Sequence, residues 1–408
     1  MKVLVFNAGS SSQKSQLYDV NEPLPEQAPA PLWEGTADWT KSKQAGDLSI
    51  RTAHGAKWEE DLHTDSRVDV VKQMLPMLWN GPTKVIDKPS DIAIVGHRVV
   101  HGGHTLHEST IVTPQVKDTI RQLAEFAPLH NPANLAGIEA VEHVLGNVSQ
   151  VAVFDTAFHA HLPREVMTYP LPYEWFDQGI RRYGFHGISH QYCARRSAQI
   201  LGRDLNSLRI VNCHLGNGCS LAAIQGGRSV DTTMGFTPLE GLMMGTRSGS
   251  VDPSILTYLQ RQKGYSADSL EQTLNKTSGL LGISGVSSDM RQVEEAMKAG
   301  NERARLAHDM FVYRLRYFIG AMIASLGGVD VITFTGGIGE NDAEIRSHTC
   351  QGLQFLQLRL DEQKNTTSPV DQDIATQYSA VRVLVVHTEE DWEIARECWR
   401  LTHSDKLS

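Results

Sequence analysis

Lys2-Val3-Leu4-Val5-Phe6-Asn7-Ala8-Gly9-Ser10-Ser11-Ser12 opens the chain, and Arg209-Ile210-Val211-Asn212-Cys213-His214-Leu215-Gly216-Asn217-Gly218 repeats its pattern about two hundred residues later. In both, a short apolar run breaks into a glycine-containing turn. A second apolar segment follows each, around Leu17 and over Leu221–Ile224, so both read as strand–turn–strand. Further runs of strand length stand at Ile92–Val95, Val151–Phe154, Val331–Phe334 and Val381–Val386. Helical patterns lie between them. The clearest starts at Asn301, a candidate N-cap, and passes through Leu306, Met310, Leu315, Phe318, Met322 and Leu326 to a stop at Gly327-Gly328. Strands alternating with helices predict an α/β fold, and the recurring hairpin predicts two duplicated domains. Asn21–Ala56, polar and with prolines at 23, 25, 29 and 31, is expected to be a surface excursion.

Composition narrows the class. At 408 residues, 40% of them hydrophobic and 21% charged, the chain has material for two or three domains of about 150 residues each, which excludes wholesale disorder. A formal net charge of −9 offers no field for gathering polyanions, so nucleic acid and anionic membrane are not expected partners. Cys193, Cys213, Cys219, Cys350 and Cys398 include no CxxC pair, the pattern of a reducing compartment. The first apolar run is too short for a signal peptide, and no stretch reaches the ~18 residues of a membrane span. A cytoplasmic protein is expected.

Three glycine-rich turns follow strands: Asn7–Ser12, His214–Gly218 and Thr335-Gly336-Gly337-Ile338-Gly339-Glu340-Asn341. In the first, Gly9 permits close approach and the serine hydroxyls and backbone N–H groups form a nest suited to phosphate, with Lys14 as an added cation. It lacks the GK[ST] ending of a Walker A loop, and an ordinary serine-rich hairpin is the competing reading. Arg98, emerging from an apolar run into His101-Gly102-Gly103, and Arg247, in Gly245-Thr246-Arg247-Ser248-Gly249, are placed to grip a carboxylate or phosphate; a structural ion pair is the alternative for either. Asp155 ends the Val151–Phe154 run, where an acid often faces a ligand crevice. Glu389-Glu390-Asp391 precede a helical pattern, and Thr388 with Asp391 resembles a capping box, though a carboxylate there could orient Mg²⁺. Seventeen histidines include the cluster His97, His101, His104, His107 and the pairs His159/His161 and His186/His190, but no HExxH, so a zinc site is not expected among them. His186 in Tyr183-Gly184-Phe185-His186-Gly187 is better placed to donate to developing negative charge.

Taken in order, Asn7–Lys14, Gly96–Gly103, Tyr183–His190, His214–Gly218, Asp231–Asp252, Ser287–Arg291 and Phe334–Asn341 resemble the signatures of the acetate kinase family, which includes propionate and butyrate kinases. The resemblance covers essentially the whole chain. It implies the acetate and sugar kinase/Hsp70/actin superfamily: two duplicated domains, each a mixed sheet flanked by helices, with an interdomain cleft. The expected division is 1–154 plus 391–408 as an N-terminal domain closed by the C-terminal helix, and 155–390 as the nucleotide-binding and dimerisation domain. It implies a homodimer and reversible, Mg²⁺-dependent (or Mn²⁺-dependent) phosphoryl transfer from ATP to acetate, giving acetyl phosphate and ADP.

By the same resemblance Arg98 and Arg247 bind the carboxylate and the transferring phosphoryl, His186 and Asn217 donate to it, and Asp155 is the essential acid near metal and acyl group. Asn7 and Glu390 hold the metal, with Glu389 as fallback. Asn7, Ser10, Ser12 and Lys14 form the first phosphate loop and His214, Leu215, Gly216, Asn217 and Gly218 the second. Asp289, Met290, Arg291, Gly337, Ile338, Gly339, Glu340 and Asn341 take the adenosine side, and Val100, Leu129, Phe185 and Pro238 the acyl methyl. An acceptor carboxylate is already ionised at neutral pH, so direct in-line transfer without a general base is expected. The sequence departs from the family pattern at Ser250 (usually aspartate), Gln13 (usually apolar) and Asp391-Trp392 (usually Glu-Leu). Propionate as substrate, and a non-catalytic nucleotide switch, are the rival readings.

Overall fold

Each of the six apolar runs forms a strand. The computed structural model describes residues 1–8, 12–39, 46–64, 66–128 and 130–404. The chain divides into two units, Met1–Ala157 with Glu389–Ser408, and Phe158–Thr388. Asp155 and Glu390 thus belong to the first unit, although the boundaries expected from the sequence put both in the second. The ladder explains the first shift: the Asp155 amide still bonds to the Val99 carbonyl, at 3.0 Å.

The first unit holds β1 (Lys2–Ala8), β2 (Ser12–Asp19), β3 (Trp33–Asp38), β4 (Gly46–Thr52), β5 (Lys57–Leu62), β6 (Ile92–Val99), β7 (Thr110–Ile111) and β8 (Ser149–Phe154), in the order β5-β4-β3-β2-β1-β6-β8-β7. β1, β6 and β8 are mutually parallel and the other pairings antiparallel. Val3, Leu4 and Val5 are fully buried in succession, as a central strand covered on both faces requires. Val95 packs into one core cluster with Ala140 and Val141 of helix α1 (Asn131–Leu145). The expected surface excursion at 21–56 instead contains β3 and β4. Its signal is a period of two: Trp33, Gly35 and Ala37 are buried while Glu34, Thr36 and Asp38 are half-exposed, and Leu48 and Ile50 continue the buried face. The flanking prolines and charges hid that alternation.

The second unit holds β9 (Arg209–Leu215), β10 (Cys219–Gln225), β11 (Arg228–Thr232), β12 (Val331–Thr335), β13 (Gln372–Asp373) and β14 (Arg382–Val385), ordered β11-β10-β9-β12-β14-β13. This is β3-β2-β1-β6-β8-β7 over again, in chain order and in the sense of every pairing. Around it lie α2 (Gly187–Leu201), α3 (Met290–Lys298), α4 (Glu302–Leu326), α5 (Gly336–Asn341) and α6 (Ala343–Gln351). α4 is capped by the Asn301 side chain on the Ala304 amide and stops at Gly327, φ 64°. Its buried face is Ala304, Ala307, His308, Phe311, Val312, Leu315, Ile319, Met322 and Leu326. Leu306 lies on the other side, 52% exposed with Tyr313 and Tyr317, because the helix carries two apolar stripes rather than the single broad one expected. The third glycine-rich turn is likewise not a turn: Gly336–Asn341 is the helix α5.

The last helix, α7 (Glu390–Ser404), follows β14 in the chain yet packs on β1 and β6 of the first unit. A Cβ on Gly96 would lie 2.5 Å from Ile394 and 2.6 Å from the Cys398 thiol, so only glycine allows β6 this approach. Val95 and Gly96 point to opposite faces, so α1 and α7 cover the two sides of the sheet. Conversely, α2 is the first long helix after β8 but packs on β9 and β12. Among the described residues no helix is long and apolar enough to cross a membrane.

Candidate active site

Parallel strands present their C-terminal ends at one edge, and in the first unit those ends carry the chemistry: Asn7 on β1, Arg98 on β6 and Asp155 just past β8. Arg98 meets Asp155 side-on, with Nε 3.0 and 3.1 Å from the two carboxylate oxygens and a terminal nitrogen at 2.7 Å. Its other terminal nitrogen donates to Asn7 Oδ1 at 3.3 Å and lies 3.9 Å from Glu390. The Asn7 amide nitrogen donates to Asp391 Oδ1 at 2.8 Å and to Glu390 Oε2 at 3.3 Å. One guanidinium therefore sits among three carboxylates, two of them from the first turn of α7.

Burial would lower the Arg98 pKa, but Asp155 and then Glu390 hold it above its ordinary value. Burial pushes Asp155 up, and Arg98 opposes this. Asp391 is pushed up to about 6, mainly by burial and, despite its bond from Asn7, also by the Glu390 charge. The donor set is all oxygen, hard, and two charges short of neutral, which suits a divalent ion of the Mg²⁺ type. Of the two readings of this stretch, a Thr388–Asp391 capping box and a metal-orienting carboxylate, the capping box is not formed. The Thr388 hydroxyl instead bonds to Ser189 Oγ, and Asp391 fixes Asn7. Adjacent Trp392 is fully buried, tilted against Tyr18 at 5.4 Å, which gives the Asp-Trp departure a packing role.

Lys14 is exposed on β2 in register with Asn7, and half-exposed Ser12 lies two residues before it. Gln13, on the opposite face, is buried at 3%. Val100 is buried, its amide bonded to Asn134 Oδ1. Ser10 and Leu129 lie outside the described residues.

In the second unit the β9–β10 turn brings together His186, His214, Asn217, Gly218 and Arg247. A Cβ on Gly218 would stand 3.4 Å from an Arg247 terminal nitrogen and 3.5 Å from His186 Nε2. Arg247 is oriented by the Pro238 carbonyl at 2.9 Å, and burial lowers its pKa. Exposed Asn217 accepts from the Gly245 amide through its own carbonyl, at 3.0 Å, tying the turn to the arginine's loop. Leu215 is buried at the end of β9; Gly216 bonds across the turn to the Gly218 carbonyl.

A chain of hydrogen bonds fixes the His186 tautomer. Asn212 Nδ2, a donor only, lies 2.8 Å from His190 Nδ1, so the His190 proton is on Nε2, 2.8 Å from Ser220 Oγ. Having accepted there, Ser220 directs its hydroxyl hydrogen to His186 Nδ1 at 2.9 Å, which leaves the His186 proton on Nε2. Burial, with His159 and His214 nearby, holds His190 well below the usual histidine range and so neutral. A parallel chain runs from Thr388 through Ser189 to His214 Nδ1, and the two imidazoles stack at 4.3 Å. His186 itself has φ 56°, a left-handed conformation costing about 1–3 kcal/mol outside glycine. His190 was open to discovery, since its spacing of four puts it beside His186 at the start of α2; Asn212 and Ser220 gave no sequence signal.

The adenosine-side residues separate. Gly337 and Asn341 are exposed and Ile338 half-exposed, with Asn341 Nδ2 donating to the Gly337 carbonyl. Gly339 is buried, and Glu340 turns inward to accept from the Gly336 amide at 2.9 Å and to pair with His387 at 2.6 Å. Glu340 is therefore a brace for α5. Asp289 caps α3 and pairs with exposed Arg291, while the Met290 side chain is 3% exposed and belongs to the core. Phe185 is buried, with its carbonyl accepting from His159. Ser250, where the family usually has aspartate, accepts from the Gly241 amide at 3.0 Å, a bond a carboxylate would also make. His97 stacks on Phe6 and bonds to Gln150, so that histidine is structural.

Known proteins give the comparison. The Acetokinase family matches residues 2–396. The chain is 58% identical over 408 residues to the acetate kinase of Cyanothece sp. (strain PCC 7425), covering all of both chains. It is 60% identical over 402 residues to that of Nostoc sp. (strain PCC 7120), covering 98% of this chain and 99% of the other. Among solved structures, Porphyromonas gingivalis acetate kinase superposes with a TM-score of 0.89 at 41% identity, covering 98% and 99% of the two chains. A propionate kinase from Francisella tularensis gives 0.87 at 37%, covering 97% and 98%.

Proposed function

This chain belongs to the acetokinase family, and from that premise we infer that it transfers the ATP γ-phosphoryl group to acetate, giving acetyl phosphate and ADP, by direct in-line displacement. The activity is that of an acetate kinase, a phosphotransferase with a carboxyl acceptor. The observation that carries the mechanistic reading is the convergence of the Arg247 guanidinium and His186 Nε2–H over the Gly218 backbone.

Phosphoryl transfer asks for positioning and for donors where charge gathers on the equatorial oxygens, rather than for covalent help. His186, held in its Nε2–H tautomer, donates there; Arg247 supplies fixed positive charge; Asn217 and the Gly216–Gly218 backbone hold the phosphates beside them. In the first unit Arg98 receives the acetate carboxylate, oriented by its bidentate pair with Asp155. Asn7, Glu390 and Asp391 hold Mg²⁺ (or Mn²⁺), which neutralises phosphate charge when bound. Ser10, Ser12 and Lys14 line the phosphate chain. Exposed Gly337, Asn341 and Arg291, with half-exposed Ile338 and Asp289, are offered to adenosine, and Val100, Leu129, Phe185 and Pro238 to the acyl methyl. The second unit binds nucleotide and forms a homodimer, supported by the exposed apolar residues Ile255, Tyr258, Leu306, Tyr313 and Tyr317. Five buried, unbridged cysteines fit a cytoplasmic location.

The test is Mg²⁺- and ATP-dependent acyl phosphate formation, trapped with hydroxylamine, from acetate, propionate and butyrate in parallel. Acetate should be preferred. A preference for propionate would keep the mechanism and change the acceptor, since one methylene is worth only about 1–3 kcal/mol. No acyl phosphate from folded, ATP-binding protein would refute the reading.

A further inference from the structure

Three side chains of the second unit that take no part in this chemistry meet where α4 packs against α6. His308, on α4, is 2% exposed. Its Nδ1 lies 3.3 Å from the Asp309 carboxylate, while its buried Nε2 has no hydrogen-bond partner. A buried imidazole nitrogen left without a partner is costly, and such an atom calls for an explanation. His348, on α6, stands edge-on to the His308 ring, with centroids 5.5 Å apart at 85°. Glu344 precedes His348 by one helical turn and so shares its face. One ligand atom from each of His308, Glu344 and His348 lies within 4.8 Å of the other two.

We propose that His308, Glu344 and His348 form a site for a divalent cation of the zinc class, separate from the ion of phosphoryl transfer, that clips α4 to α6. Two imidazoles and a carboxylate make a zinc donor set, with a fourth, tetrahedral position left to water. At bond lengths of about 2.0–2.1 Å, tetrahedral donors stand roughly 3.3 Å apart, so from separations within 4.8 Å the half-buried Glu344 and His348 side chains close by at most about 1.5 Å on binding. Asp309 on Nδ1 is the outer carboxylate that metal-bound histidines commonly have, and it aims Nε2 at the ion. A further acid stands nearby, although Arg316 donates to the His348 carbonyl and Lys298 acts on that acid. Glu294 on α3 has a buried Oε1 without a partner, and its carboxyl is pushed up to about 8, first by burial and then by Asp342 and Glu344. This site was invisible in the sequence because its histidines are separated by forty residues and fall in none of the close-spaced groups.

The test uses the full chain, stripped with a chelator and free of nucleotide. Zn²⁺ is measured by calorimetry and by thermal shift, and Co²⁺ by its visible absorption, which is strong for a tetrahedral site. We expect one ion per chain, not displaced by millimolar Mg²⁺, and a rise in melting temperature on Zn²⁺ binding. His348→Ala and Glu344→Gln change half-buried positions and should fold; His348→Ala should weaken binding at least tenfold and abolish the thermal shift. His54→Ala, at an exposed histidine, controls for adventitious binding. The proposal is overturned if no saturable site of one per chain exists, or if His348→Ala weakens binding less than tenfold or no more than His54→Ala does.

Discussion

Replacing Ser220 by alanine isolates the hydrogen-bond chain behind His186 without touching any group offered to substrate. Ser220 Oγ serves His186 Nδ1 at 2.9 Å and His190 Nε2 at 2.8 Å. A neutral hydrogen bond nets about 0.5–1.5 kcal/mol, so if its whole value aligns the His186 ring, kcat should fall about 2- to 13-fold. KM should change little, because the ring matters most when charge moves onto the phosphoryl oxygens. His186→Ala removes the donor itself and should cost about 10²–10³ in kcat. The decisive measurement is the double-mutant cycle in the hydroxamate assay. If Ser220 acts through His186, the Ser220→Ala/His186→Ala double variant turns over no slower than His186→Ala alone. Full turnover in Ser220→Ala, or additive losses in the double variant, would refute the tautomer argument. Melting temperatures accompany each variant, since His190 Nε2 is left without its partner and a loss of fold must be told apart from a loss of chemistry.

Arg98→Ala should lower turnover by about 10²–10³ and stability by about 3–5 kcal/mol, because it strands the Asp155 carboxylate, whose side chain is only 3% exposed. Adding Asp155→Asn should recover most of the stability and none of the turnover, as read by urea denaturation beside the assay. His97 and His159 are buried neutral, each pushed down to about 4 from 6.5 chiefly by desolvation. The unfolded chain therefore takes up protons first: stability is full above pH 6.5 and is lost as pH falls towards 4, by at most about 3 kcal/mol for each group. His159→Asn should flatten that part of the stability–pH curve relative to the parent protein, and an unchanged slope would reject the assignment. Tyr313→Glu with Tyr317→Glu, both on the exposed stripe of α4, should convert a dimer to monomers in sedimentation while leaving the melting of the monomer intact.

Much of this was legible in the sequence, for identifiable reasons. Continuous apolar runs such as Val3–Phe6 and Val331–Phe334 mark central strands because both of their faces are covered. Strands covered on one face escape that test: β3 and β4 bury only alternate residues, and a segment carrying four prolines in its first half disguised them. The face of α4 differs from expectation because a second, exposed apolar stripe of Leu306, Tyr313 and Tyr317 blurs the pattern. Arg98 and Asp155 could be singled out as chemistry-bearing strand-end residues, yet neither could be seen as the other's partner across fifty-seven residues. Asn212 and Ser220 were illegible for a different reason: a polar residue in a strand looks the same whether it orients a histidine or merely satisfies itself. Asp391 looked like a cap because caps and site acids occupy the same first turn of a helix.

The placement of α7 bears on how the protein is made. Its residues complete the first unit, but about 230 residues of the second unit are translated between Ala157 and Glu389. At ~5–20 residues per second, the ribosome takes roughly 10–45 s to cover that distance. For that time the β6 surface at Gly96 waits for Ile394 and Cys398, and Asn7 waits for Glu390 and Asp391. A chain that stops early thus keeps Asp155 but lacks Glu390 and Asp391, and it leaves bare an apolar face of the kind that chaperones and proteases recognise. Quality control over incomplete molecules follows from the order in which the strands and helices leave the ribosome.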